Sequence, residues 1–311
     1  MIVIRDAEVL KRKELAATVG FFDGVHVGHR FLIRALQEAA RVRRLPVAVI
    51  TFPHHPREVL QAGYQPKLLN SFEEKLAHLE ETGIDYCIVT DFTVGLSQLS
   101  AQAYIHSVLA EQLHVKTLLA GYDHRFGHNR RDGLDEYMAY GKACGIEVLS
   151  AAACGTDGEA VSSSVIRRLL ATGRVEETAC LLTYPYQLKG RIKDGYKIGR
   201  KLGFPTANIE TDEPFKVIPS VGIYAVRVAL EGKSYRGMLC IGNRPTLNNG
   251  SNITIEVHIL DFSGDIYNSE LTVSFIRYIR DTIKFDTLDD LAAQLERDKE
   301  TTRKLLTDND E

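Results

Sequence analysis

The chain has 311 residues, of which 44% are hydrophobic and 25% charged, with a formal net charge of −3. That length exceeds what one hydrophobic core usually holds, so two domains are expected. The balanced charge argues against an extended nucleic-acid-binding surface, and no apolar run approaches the roughly 18 residues of a membrane span. The first residues, Met1 to Lys13, mix charged and apolar side chains and lack the apolar core of a signal peptide, so a cytoplasmic protein with no membrane partner is expected. The five cysteines, Cys87, Cys144, Cys154, Cys180 and Cys240, form no C-x-x-C pair and read as reduced, mostly buried thiols.

In chain order, Ala16–Gly20 reads as a strand running into a glycine loop and Phe31–Arg44 as a helix with Leu32, Leu36 and Ala40 at spacing four. Val47–Phe52 is a strand. Ser71–Glu81 is a helix whose Ser71 and Glu74 have capping-box spacing. Tyr86–Thr90, Thr117–Ala120 and Ile146–Ser150 are further strands, with a helix over Leu134–Cys144. This alternation predicts an α/β domain built on a Rossmann-like parallel sheet. Ser162–Gly173 and Glu176–Leu182 are two more helices, and Thr183-Tyr184-Pro185 ends the helical pattern. The domains are therefore placed at 1–183 and 184–311. Beyond the boundary come short β-rich runs at Tyr186–Ile192, Gly222–Leu230, Ser234–Ile241, Ile253–Leu260 and Glu270–Arg277, separated by turn residues. They predict a small antiparallel β-barrel. A C-terminal helix near Leu288–Leu306 aligns Leu288, Leu291, Leu295, Leu305 and Leu306, and the acidic end Asp308–Glu311 is expected to fray.

Two stretches have the make-up of phosphate-handling loops. The first, Gly20-Phe21-Phe22-Asp23-Gly24-Val25-His26-Val27-Gly28-His29, joins a strand to a helix start. Unpaired amides and the helix dipole favour an anion there. His26 and His29, three apart, face one side of the first turn, where they can donate to phosphate oxygens. A capped helix with two surface histidines explains the same spacing. Three further loops follow other elements: Thr51 to Pro56, Gly121 to Gly127, and Ser162-Ser163-Ser164 with Arg167. The loops after strand ends lie where open α/β sheets bind ligands.

The second stretch, Gly199 to Asn208, has no Walker-type G-K-[ST]. Gly199 and Gly203 supply flexibility, Arg200 and Lys201 positive charge, and Pro205 a stiff exit. Thr206 and Asn208 point the same way in an extended segment, and two oxygen ligands on one face suit Mg²⁺. A basic hairpin loop is the alternative. In Ile253–Ile259, Thr254, Glu256 and His258 alternate with isoleucines and valine, so Glu256 is either a solvated strand residue or a general base.

The motifs G-F-F-D-G-V-H-V-G-H, T-F-P-H-H-P, G-Y-D-H-R-F-G and V-S-S-S-V-I-R resemble the nucleotidyltransferase module of the prokaryotic bifunctional riboflavin kinase/FAD synthetase family. The later motifs G-R-K-L-G-F-P-T-A-N-I, G-N-R-P-T, E-V-H-I-L-D-F and F-I-R with K-F resemble that family's riboflavin kinase domain. The resemblance spans nearly the whole chain in family order. His54 stands where the family commonly has proline, and His124 where it commonly has phenylalanine. The resemblance implies ATP and Mg²⁺ as partners of riboflavin, FMN and FAD, with no nucleic acid, and leaves homo-oligomerisation open. It implies that His26 and His29 meet ATP phosphates with help from Gly20, Phe21, Phe22, Asp23, Gly28, Ser162, Ser163 and Arg167. It further implies that His55, Pro56, Asp123 and Arg125 build the FMN cleft. In the barrel, it implies that Gly199, Lys201, Gly203, Pro205, Thr206 and Asn208 bind ATP, with Thr206 and Asn208 on the metal. Glu256 would accept the proton of the ribityl 5′-hydroxyl, and Arg277 and Phe285 would lie near the flavin.

Overall fold

The computed structural model describes residues 1–10, 12–61, 63–121, 125–128, 131–152, 161–193, 202–244, 252–264 and 266–307. The chain divides into two units, Met1–Ser163 and Ser164–Glu311.

The first unit is built on strands β1 (Ile2–Ile4), β2 (Leu15–Val19), β3 (Val47–Thr51), β4 (Tyr86–Val89), β5 (Val115–Ala120) and β6 (Glu147–Ser150). They lie in the order β1-β4-β3-β2-β5-β6, and every pair is parallel. β2, β3 and β4 are buried along their whole length, as central parallel strands covered on both faces must be. One apolar cluster, around Leu15, Ile50 and Ile105, and another, around Ile33, Val49 and Cys87, supply the core. The chain steps from β2 outward through β3 to β4, then returns to β5 on the other side of β2. The direction therefore reverses at β2, and the loops after β2 and β5 leave from this switch point.

Helix α1 (Val27–Arg43) begins four residues earlier than its apolar periodicity indicates and absorbs the histidine motif into its first turn. Helix α2 (Pro56–Leu60) follows the loop after β3. Helix α3 (Phe72–Glu80) has the expected capping box: Ser71 accepts from the Glu74 amide, and Glu74 accepts from the Ser71 amide. Helix α6 (Leu134–Cys144) has the expected bounds and stops at Gly145, whose φ of 76° suits glycine. Between α3 and α6 lie α4 (Val94–Ser97) and α5 (Ala101–Ala103), the latter widening into π-type turns over Tyr104–Gln112. Those elements and β1 carry too little periodicity to be expected from sequence.

The second unit opens with α7 (Ser163–Ala171), which starts at the division, and α8 (Val175–Leu182). Gly173 turns between them with φ 74°; a Cβ there would approach Ser220 Oγ to 2.9 Å. Strands β7 (Gln187–Lys193), β8 (Ala207–Glu210), β9 (Gly222–Leu230), β10 (Lys233–Arg244), β11 (Asn252–Ile259) and β12 (Glu270–Arg280) close a barrel in the order β10-β11-β8-β7-β12-β9. All its pairs are antiparallel. Five strands follow the expected runs. The sixth, β8, is four residues long and closes the ring between β7 and β11. Leu188, Val226, Val228, Leu239, Val257, Val273 and Phe275 fill the interior.

Helix α9 (Leu288–Leu305) turns inward the face that its leucines mark: Leu291, Leu295 and Leu305 are partly buried and Leu306, just past its end, is buried, whereas Leu288 in the first turn is 62% exposed. Asp298 and Thr302 lie on that same face and are buried. An ion pair accounts for the buried carboxylate. Arg280, at the end of β12, donates through Nε and Nη2 to both Asp298 oxygens at 2.5–3.1 Å, and Gln294 adds a bond at 2.8 Å. Among the described residues, Cys87, Cys144, Cys180 and Cys240 are free thiols; Cys87 is buried and Cys180 exposed. Cys154 and the acidic C-terminal end lie outside the described residues.

Truncating Asp298 leaves the Arg280 guanidinium without its counter-charge. Asp298→Ala is expected to destabilise the second unit by about 3–5 kcal/mol, seen as a lower urea midpoint. An unfolding free energy within about 0.5 kcal/mol of the parent contradicts an anchoring role for the pair.

Candidate active sites

The loop after β2 follows a constrained path. Phe22, Gly24 and Val25 have φ of 56°, 85° and 37°, left-handed values that a β-branched residue rarely adopts. Phe22 and Val25 tolerate them because their side chains are held in the core, 2% and 0% exposed. Gly20 is required by close approach: a Cβ would meet the Phe22 ring at 2.9 Å. The loop delivers His26 to the position preceding α1, 4% exposed, and stacks its ring on His29 with centroids 3.7 Å apart and planes 17° from parallel. Gly28 lies against this pair, 3.2 Å from His26 to any added Cβ and 3.4 Å from the Val161 carbonyl. The first turn of α1 contains no acidic residue, so the amide end and the imidazoles present donors without a repelling carboxylate.

Neighbouring segments lock this loop. Asp23, 4% exposed, accepts from the amides of Leu69 at 2.9 Å and Asn70 at 3.4 Å. Its backbone carbonyl accepts from Ser163 Oγ at 2.9 Å, which brings the serine motif onto the histidine loop. Arg30 Nε donates to the Val25 carbonyl at 3.2 Å. In the loop after β3, His55 precedes α2: its Nδ1 accepts from the Arg57 amide at 3.1 Å, and its own amide donates to Glu58 at 2.7 Å. The His55 ring meets the Phe21 ring edge-on at 4.9 Å. Residues of 20–29, 51–56 and 161–163 thus form one cluster. Pro56 is the first residue of α2. Arg125 is exposed on the loop after β5. The adjoining Gly127 packs so tightly that a Cβ would lie 2.5 Å from the Ala101 nitrogen. Asp123 lies outside the described residues, and Arg167 stands on α7 in the second unit.

Sequence reasoning overlooked Lys75 at this cluster. It is 3% exposed on α3, and its Nζ donates to the carbonyls of Phe52 at 2.7 Å and Phe21 at 3.1 Å. Burial pushes its ammonium down to about 8, against the opposing pull of Asp23. A lysine within an amphipathic helix has no sequence signal that separates a buried role from a solvated one.

In the barrel, register does the positioning. β8 and β11 pair Asn208 opposite Glu256, so their side chains share a face. Thr206 Oγ1 donates to Glu256 Oε2 at 3.2 Å. Thr206, Asn208 and Glu256 therefore converge, and the alternation of β11 holds, with Ile255, Val257 and Ile259 buried. Hydroxyl, amide and carboxylate oxygens are hard donors of the kind Mg²⁺ takes when it keeps several waters. His258, also on the polar face of β11, donates from Nδ1 to the Pro205 carbonyl at 2.8 Å, which fixes its tautomer. Burial lowers the pKa of this imidazole. Phe204 anchors the same turn among Met238, Leu260 and Leu295. Gly203 has φ 80° with open space around it. Arg277 is on β12, diametrically across the ring from β11, and its Nε lies 3.5 Å from Glu176 of α8. Phe285 is half-buried in the segment between β12 and α9. Gly199 and Lys201 lie outside the described residues. Among the described residues no cluster of three His, Cys, Asp or Glu side chains forms a metal site, and no helix is long and apolar enough to cross a membrane.

Comparison with known proteins also divides the chain in two. The FAD synthetase family model matches residues 9–165, and the riboflavin kinase family model matches residues 182–306. A bifunctional riboflavin kinase/FMN adenylyltransferase from Listeria monocytogenes is 37% identical over 286 residues, covering 92% of this chain and 90% of the relative. The protein of that name from Haemophilus influenzae is 38% identical over 289 residues, covering 93% of each. A crystal structure named as a macrolide-efflux protein from Streptococcus pneumoniae matches with a TM-score of 0.87 at 31% identity, covering 97% of this chain and 98% of that one. With both family models matched in order and full-length relatives above 30% identity, the chain belongs to the bifunctional riboflavin kinase/FMN adenylyltransferase (FAD synthetase) family.

Proposed function

We propose how the residues divide the work of an enzyme that phosphorylates riboflavin to FMN and adenylylates FMN to FAD. The catalytic modules divide at residues 183 and 184, the adenylyltransferase preceding the kinase.

In the kinase module, Glu256 takes the proton of the ribityl 5′-hydroxyl as that oxygen attacks the γ-phosphorus of ATP. The O–P bond to the acceptor forms, the bond to the β-phosphate bridging oxygen breaks, and ADP leaves. Thr206 and Asn208 hold Mg²⁺, which supplies charge neutralisation on the phosphates when bound. Gly199, Lys201, Gly203 and Pro205 accompany the triphosphate, and Arg277 and Phe285 the flavin. The observation that carries this reading is the Thr206–Glu256 bond with Asn208 in register beside it.

In the adenylyltransferase module, the FMN phosphate attacks the α-phosphorus of ATP and pyrophosphate leaves. His26, His29 and the first amides of α1 donate to phosphate oxygens as charge shifts toward the leaving group. Ser162 and Ser163 assist at the phosphates. Gly20, Phe21, Phe22, Asp23 and Gly28 set the shape of the loop, and His55, Pro56, Asp123 and Arg125 line the flavin side. The stacked His26–His29 pair at a helix start free of acid supports this assignment.

Chromatographic separation of flavins after incubation with riboflavin, ATP and Mg²⁺ tests both halves. Glu256→Gln is expected to lower FMN formation by about 10²-fold or more while FAD formation from added FMN continues at the parent rate. Loss of both activities in a folded variant would contradict separate sites. Gly28→Ala places a methyl against His26 and is expected to cut FAD formation from FMN by about tenfold to 10²-fold, with riboflavin phosphorylation unaffected. Parent-level adenylylation in that variant argues against a histidine pair held to close tolerance.

A further inference from the structure

We propose that Lys75 is a positioning residue for FMN adenylylation: its buried ammonium fixes the loop after β2 to the loop after β3 through their carbonyls. This rests on assigning adenylylation to the first unit. β2 and β3 pair in parallel from Ala16↔Val47 to Val19↔Ile50. Past that point the Gly20 amide makes one more bond, to the Ile50 carbonyl at 3.0 Å, and the two chains diverge into their loops. Lys75 takes over there. Its Nζ binds the Phe21 carbonyl of one loop and the Phe52 carbonyl of the other, and the Thr51 hydroxyl adds a bond to Phe21 at 3.2 Å. The Phe21 ring covers the ammonium, with its centroid 4.1 Å from Nζ, and also touches His55. One cation thus sets the spacing of the histidine loop and the His55 loop.

Peptide geometry gives this tie a direction. A planar trans peptide points its C=O and N–H to opposite sides. Drawing the Phe21 carbonyl toward Lys75 therefore aims the Phe22 amide away from it. The Phe52 carbonyl belongs to the bond with Pro53, which has no N–H, so Lys75 holds the one polar group that peptide offers.

Burying the ammonium costs desolvation, which its two carbonyl bonds and the nearby Asp23 carboxylate offset. The charged or titratable groups facing Lys75 are Asp23 from the histidine loop and Cys87 from β4, with Arg5 acting on Cys87 from beyond β1. Burial pushes the Cys87 thiol up to about 11, so it stays neutral through the range in which Lys75 titrates. As pH rises through about 8, the folded chain loses the buried charge before the unfolded chain does. Stability then increases with pH while the tie between the loops weakens.

The test uses the full chain and follows two reactions: FAD formation from FMN, and FMN formation from riboflavin. Lys75→Met is expected to lower kcat/KM for ATP in adenylylation by about tenfold or more and to leave riboflavin phosphorylation unchanged. Lys75→Arg, which keeps its charge, is expected to recover part of that loss. In the parent, adenylylation is expected to fall between about pH 7 and 9.5, and Lys75→Arg to remove that fall. Parent-level adenylylation by Lys75→Met overturns the inference. So does a folded Lys75→Arg variant that recovers none of the activity lost in Lys75→Met. A parent that makes no FAD from FMN at any pH instead overturns the assignment beneath it.

Discussion

The loop after β2 turns through left-handed backbone at Phe22, Gly24 and Val25, and the geometry of the first site depends on keeping it there. Two of these residues carry side chains for which that conformation costs about 1–3 kcal/mol each. The cost is met by burial: Phe22 and Val25 are seated in the apolar core, where leaving would expose them to water. Polar ties then hold the path from several directions. Asp23 grips the chain ahead of α3, Ser163 reaches the Asp23 carbonyl, and Lys75 reaches the Phe21 carbonyl. The outcome is a helix start whose two imidazoles are stacked before any substrate arrives, so ordering them costs nothing at the moment of binding.

The barrel reaches a comparable degree of order by another route. No run of strained residues is needed, because antiparallel pairing already dictates which side chains meet. Once β8 pairs with β11, Asn208 stands opposite Glu256, and the turn before β8 brings Thr206 to the same carboxylate. Phe204 in its apolar cluster and the bond from His258 to Pro205 keep that turn in place. The first site is fixed by loops held from beneath, and the second by the register of a closed sheet. That difference fits phosphate chemistry at a helix start in one unit and at oxygen ligands on a strand in the other.

Much of this was readable from local pattern. Ser71 and Glu74 marked the start of α3 because a capping box lies wholly within four residues. The alternation over Ile253–Ile259 marked the buried and polar faces of β11 because the strand period is two. β1 and β8, three and four residues long, escaped notice: so short a strand is defined by its partners more than by its own composition. The leucines of α9 marked its inner face correctly because the helix period is local. That Asp298 also lies buried on this face, paired with Arg280, had no such local signal.

By itself the sequence determined the class of each domain, the order of the motifs and the residue types available for phosphate and metal chemistry. All of these follow from spacing along the chain. Tertiary structure alone decided that Ser163 meets Asp23, that Glu256 meets Thr206, and that the lysine at position 75 is buried between two loops. These contacts join residues 140, 50, 54 and 23 positions apart. Burial and carbonyl direction at such distances are properties of how strands and helices pack, and no local pattern encodes them.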